Sequence, residues 1–96
     1  MITHKIKDQT LWIYVSDKFT IDSFADFQAA YTNNEFKDIV IDFSETSHID
    51  SGGLGMLLQL RTHLGEDSNR ITLCGLSDHI LKVFEVVNFE KLFKMA

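Results

Sequence analysis

The chain has 96 residues, 45% of them hydrophobic and 11% aromatic, with 14 acidic against 9 basic side chains and a net charge of −5. That length suits one domain with a true apolar core, and the composition excludes a disordered chain. The acidic balance, with no basic block, argues against a nucleic-acid partner. No apolar run approaches the ~20 residues that cross a bilayer, so membrane insertion is not expected. The amino terminus has no apolar signal-peptide core, and a cytoplasmic protein is expected. A lone Cys74 in the run Ile71-Thr72-Leu73-Cys74 excludes an internal disulfide and reads as a buried, inert thiol.

Ile2, His4 and Ile6 alternate with Thr3, Lys5 and Lys7, which predicts a half-buried strand. Asp8-Gln9 makes a tight turn into a second strand over Leu11 to Val15, so the chain opens with a hairpin. Phe24, Phe27 and Tyr31 then recur at helical spacing, with Thr20 or Asp22 as the cap and Asn33-Asn34 as the stop. Phe36 to Phe43 contains the continuous run Ile39-Val40-Ile41, the pattern of a strand buried on both faces. A second helix is predicted over 51–64, with Leu54, Leu57, Leu58, Leu60 and Leu64 on its apolar face and Gly65 at its end. Arg70 to Cys74 is a further strand. Ser77 caps a third helix carrying Ile80, Leu81, Phe84 and Val87, Asn88 breaks it, and Phe89 to Met95 closes the chain. The order ββαβαβα predicts a small α/β domain spanning residues 1–96, its central mixed sheet covered by helices.

One segment is not explained by folding alone. Asp50-Ser51-Gly52-Gly53-Leu54-Gly55 puts a serine and three glycines where a buried strand passes into an amphipathic helix. Glycine in a helix is disfavoured by roughly 1 kcal/mol relative to alanine. Small residues there permit close approach of a backbone or a phosphate, and the helix start favours an anion. Asp50 or Ser51 can cap the helix, and a capping position is compatible with phosphorylation of the serine. Other chemistries fit poorly. A serine protease needs far more chain, and Ile49 stands where a glycine precedes its Asp-Ser pair. The glycines lack the Lys-Ser/Thr of a P-loop, and the dispersed histidines have no metal-ligand spacing. Neither catalysis, a metal nor a cofactor is expected.

Ile39-Val40-Ile41-Asp42-Phe43 followed by Asp50-Ser51-Gly52-Gly53-Leu54-Gly55 resembles the signature of STAS domains of the anti-sigma-factor antagonist type. The later run Ile71 to Leu76 and the segment Val83 to Phe89 fit as well, so the resemblance spans essentially the whole chain. It implies a partner switch. Ser51 matches the phosphoacceptor, a serine kinase that is itself an anti-sigma factor modifies it, and a metal-dependent serine phosphatase reverses the change. The unphosphorylated form would bind its partner through the surface around Ser51 and the exposed side of the second helix. Asp42 and Asp50 match acidic positions of the family. Two departures stand out: Gly52 removes any second hydroxyl, and Thr20 stands where relatives often carry an aspartate before the first helix. The resemblance also admits another role, an accessory STAS subunit of a phospholipid-trafficking ABC transporter.

Overall fold

The computed structural model describes the backbone of residues 1–96 and every side chain except that of Ser68. Strands β1 (Ile2–Lys7) and β2 (Thr10–Phe19) form an antiparallel hairpin, its turn made by Asp8 and Gln9 with φ of 54° and 65°. A 3-10 turn over Ile21–Ser23 leads into helix α1 (Phe24–Thr32). Strand β3 (Asp38–Ile49) is followed by helix α2 (Ser51–His63), strand β4 (Ile71–Cys74), helix α3 (Asp78–Val86) and the short edge strand β5 (Lys94–Met95). The sheet runs β1-β2-β3-β4-β5, antiparallel at the first pairing and parallel at the other three.

Burial alternates along the central strands. Leu11 and Ile13 of β2 align with Ile39 and Ile41 of β3, and those with Ile71 and Leu73 of β4, so this face of the three central strands is apolar, while His4 of β1 stands on it opposite Ile13. All three helices pack on it, through Phe27, Ala30 and Tyr31, through Met56, Leu57 and Leu60, and through Ile80 and Phe84. Edge-to-face contacts from Phe27 to Phe19, from Phe19 to Phe43 and from Phe43 to Phe84 run continuously through this core. The Ile39-Val40-Ile41 run is therefore not buried on both sides. Val40 lies on the opposite face between Trp12 and Thr72, and it is half-buried.

Both central strands run past their expected ends. β3 continues through the polar stretch Ser44 to His48, paired to the end of β2. Two register shifts, between Tyr14 and Ser16 and between Asp17 and Lys18, each insert one extra β3 residue. The buried positions then move from every second residue to every third: Phe43, Thr46, Ile49. Thr46 is the buried polar residue of the extension, and its hydroxyl donates to the Val15 carbonyl at 2.8 Å. The Ser47 hydroxyl donates to the Asp17 carbonyl at 2.9 Å. These two bonds fasten the end of β3 to the end of β2, which sets the place from which α2 departs.

Candidate functional site

Helix α2 starts where the β3 extension ends. Asp50 has extended backbone, φ −118° and ψ −177°, and its carboxylate accepts from the Gly53 N–H at 2.9 Å. The carboxylate thus neutralises one of the free donors of the first turn. Of the two candidate caps, Asp50 is the one used. Ser51, the first helical residue, is exposed. At the far end, Gly65 with φ 74° donates to Thr62 O and Glu66 donates to Arg61 O, the bond pair of a Schellman stop.

Gly53 accounts for the close packing. A methyl group on it would collide with the carbonyl oxygen of Phe19 and stand 2.9 Å from the Phe19 ring and 3.0 Å from Ile49. The helix start rests directly on the end of β2, and only a residue without Cβ lets it. Gly52 is also confined: a methyl group there would lie 3.2 Å from the Asp50 carboxylate and 3.3 Å from Ile21. Gly55 differs, for a methyl group on it meets nothing within 4 Å. Leu54 is half-buried against the core.

The start of α2 and the 3-10 turn after β2 therefore lie side by side, with Gly52 against Ile21. Thr20 caps that turn, its hydroxyl accepting from the Asp22 N–H at 3.3 Å. Neither Thr20 nor Asp22 caps α1 itself: the 3-10 turn intervenes, and Ser23 stands at the start of α1 with no side-chain capping bond. Ile21 is 62% exposed although isoleucine favours burial. Leu58, expected on the apolar face of α2, is 40% exposed instead, while Met56 takes the inward position. The sequence pattern did not single out Phe19, Ile21 or Thr46. The first two belong to a chain segment remote from the motif, and only the parallel β2–β3 pairing brings them there.

Asp42 stands apart from Ser51. Its carboxylate accepts from the Ser44 N–H at 2.8 Å and holds the first irregularity of β3. Gly75, with φ 68°, lies against the same place, where a Cβ would be 2.7 Å from that carboxylate. Cys74 pairs with Asp42 across the sheet and is half-buried rather than buried. Burial, and secondarily the Asp42 charge, push its thiol above the ordinary range, which disfavours the reactive thiolate. Among the described residues no three His, Cys, Asp or Glu side chains are grouped to hold a metal ion, and no helix is long and apolar enough to cross a membrane.

The chain belongs to the STAS-domain family. Residues 2–94 match the family described as "Mlab, STAS domain". A STAS-domain-containing protein of Pseudomonas aeruginosa is 34% identical over 90 residues, covering 92% of this chain and 89% of that one. The anti-sigma-B factor antagonist of Listeria monocytogenes is 27% identical over 79 residues, covering 82% and 69%. Among solved structures, the anti-sigma factor antagonist SpoIIAA in its unphosphorylated form superposes with a TM-score of 0.79 at 20% identity, covering 100% of this chain and 88% of that one. The Thermotoga maritima protein TM1081, a putative anti-sigma factor antagonist, gives 0.82 at 18% identity, covering 98% and 84%. These last two likenesses establish the fold, a five-stranded mixed sheet with three helices.

Proposed function

We propose that this chain is a phosphorylation-controlled partner-switching regulator of the cytoplasm, an anti-sigma-factor antagonist, with Ser51 as its phosphoacceptor. In this reading it is a binding protein and not an enzyme. With a free Ser51 hydroxyl it holds an anti-sigma factor that is also a serine kinase. The kinase transfers the γ-phosphoryl group of ATP to Ser51 Oγ: the new O–P bond forms, the bond to ADP breaks, and the hydroxyl proton passes to a base of the kinase. A serine phosphatase hydrolyses the ester and resets the switch.

The observation that carries the reading is the exposure of Ser51 at the first position of α2, with the helix already capped by Asp50. A phosphate there gains from the helix dipole and leaves the cap in place. It also adds about −2 charges to a contact surface, which removes a snug partner by desolvation and by its bulk. Support for the partner class comes from the Listeria relative, whose named role is antagonism of an anti-sigma factor. A pull-down from host lysate with wild type, Ser51→Ala and Ser51→Asp tests the proposal. Wild type and Ser51→Ala should retain an ATP-binding kinase that Ser51→Asp loses. Equal recovery by all three would refute the switch, and recovery of a transporter ATPase by all three would support the accessory-subunit role instead.

A further inference from the structure

Strand β1 is an edge of the sheet and is exposed beyond Ile2. Met1 and Ser16 exchange both backbone bonds, each at 3.0 Å, which fixes the phase of the β1–β2 ladder. Bonded and non-bonded pairs alternate in an antiparallel ladder. Thr3, Lys5 and Lys7 therefore bond to Tyr14, Trp12 and Thr10, and Ile2, His4 and Ile6 turn their N–H and C=O groups outward. Among the described residues none of these outward groups finds a partner. Proteins commonly block such an edge with a lysine, a proline or a bulge. Here the register of β1 is unbroken and the chain has no proline. Lys5 is drawn back over β2, its Nζ 6.0 Å from the Trp12 ring centroid and 5.8 Å from that of Tyr14. The His4 ring is held on the helix side of the sheet, its Nε2 3.4 Å from Asn34 Nδ2. Both side chains leave the edge open, and Ile6 beside them is 43% exposed.

We propose that the β1 edge pairs with the β1 edge of a second copy of this chain, antiparallel about a two-fold axis at His4, to join two five-stranded sheets into one. The pattern of the strand selects this occupant and this register. Centred on His4, all three outward residues find bonding partners: Ile2 with Ile6 of the second copy, His4 with His4, and Ile6 with Ile2. The exposed Ile6 side chain then meets Ile2 on the helix side of the joined sheet. On the other side Lys5 falls opposite Thr3, and Lys7 opposite Met1, so no two lysines are directly opposed. Sliding by two residues one way leaves Ile6 without a partner. Sliding the other way sets Lys5 against Lys5, a like-charge pair that destabilises a ladder. Ser51 has no part in the contact, so this pairing stands or falls separately from the proposed switch. An edge-only interface belongs to the small, transient class, so the dimer should form at concentrations of about 10 µM to 1 mM.

Sedimentation equilibrium of the full chain across that range, with amide hydrogen exchange at its two ends, tests the pairing. The mass should rise from monomer to dimer, and the amides of Ile2, His4 and Ile6 should gain protection with it. Those of Thr3, Lys5 and Lys7, already bonded to β2, should be protected at every concentration. His4→Pro removes an outward N–H without touching the bonds to β2 and should weaken the dimer at least tenfold, while His4→Thr should leave it intact. Thr3→Lys, which opposes two lysines on each side of the axis, should weaken the dimer about threefold or more, and Thr3→Glu should tighten it. Melts of each variant at high dilution check that the monomer is folded, and the Thr3 pair decides the matter should His4→Pro fail to fold. A chain that stays monomeric at about 1 mM overturns the inference. So does a dimer in which the three outward amides gain no protection, or one indifferent to both Thr3 charges, because association would then use another surface.

Discussion

Replacing Gly53 with alanine sets two physical effects of opposite sign against each other. Helix propensity alone predicts a gain of at most about 1 kcal/mol, because α2 would lose an unfavourable glycine. Packing predicts a loss, because the new Cβ would overlap the Phe19 carbonyl oxygen and crowd the Phe19 ring at 2.9 Å. That ring cannot swing aside: Phe19 is fully buried, with edge-to-face contacts to Phe27 and Phe43 at centroid distances of 5.1 and 5.5 Å. The obstacle is also backbone, so the start of α2 must lift from the end of β2. Overpacking of this kind costs about 1–3 kcal/mol and occasionally more. The rigid neighbour argues for the upper end, leaving a net destabilisation of about 2 kcal/mol. At about 4–8 °C per kcal/mol for a domain of this size, Tm should fall by about 8–16 °C. Thermal melts followed by circular dichroism, with urea titrations alongside, measure it. A Gly53→Ala protein as stable as wild type, or more so, would show that propensity governs the position and that the close approach of α2 to β2 is wrong.

Asp50→Ala removes the cap carboxylate from Gly53 N–H and should lower stability by about 1 kcal/mol, while Asp50→Asn, which keeps an acceptor oxygen, retains most of it; urea titration compares them. Gln9→Gly should stabilise the hairpin by about 1 kcal/mol, because Gln9 sits at φ 65°, a conformation glycine adopts without penalty. A fall in its urea midpoint would contradict that. Cys74 should react with iodoacetamide only slowly until the pH passes the ordinary thiol range, since burial and then Asp42 raise its pKa. Asp42→Asn removes the negative charge, so the rise in rate should move to lower pH, and an unchanged profile would show that the charge has no part in it.

Periodicity made the interior legible in the sequence. Alternation in β2, the Ile39-Val40-Ile41 run and the spacings of Phe24, Phe27 and Tyr31 in α1 and of Ile80, Leu81 and Phe84 in α3 lie in the elements expected of them, whereas β1, expected to be half-buried, is exposed beyond Ile2, and Val87 falls past the end of α3 at 39% exposure. The motif drew notice too, because a serine and three glycines fit no ordinary helix start. What stayed hidden was the extension of β3. Its two extra residues break the period of two, and a stretch reading Ser-Glu-Thr-Ser-His looks like loop because its polar side chains face solvent or bond to β2. Outward exposure of Leu58 was hidden for a related reason. Leucine at helical spacing reads as core, and nothing in the pattern distinguishes a residue facing the sheet from one facing out. Nor could spacing choose between Asp50 and Ser51 as cap, a choice made by the extended backbone of Asp50.

That last choice bears most directly on the switch. Had Ser51 been the cap, phosphorylation would have replaced the acceptor that holds the first turn, and modification would have altered the helix itself. With Asp50 in that role, the first turn would keep its acceptor whether or not Ser51 carried the proposed phosphate. Gly53 is committed to Phe19 and Gly52 to Ile21, so the structural duties of the motif fall on residues that a kinase does not modify. Ser51 is left exposed, with no other hydroxyl in the motif to take its place. In the proposed switch, a phosphate at Ser51 would therefore change the surface without a change of fold. It follows that Ser51→Asp should melt within about 4 °C of wild type even where it abolishes binding, since surface substitutions away from a structural role stay within about 0.5 kcal/mol. A Tm lowered by 8 °C or more would mean that Ser51 shares the capping duty, and loss of binding by that variant would then report partial unfolding instead of a switch.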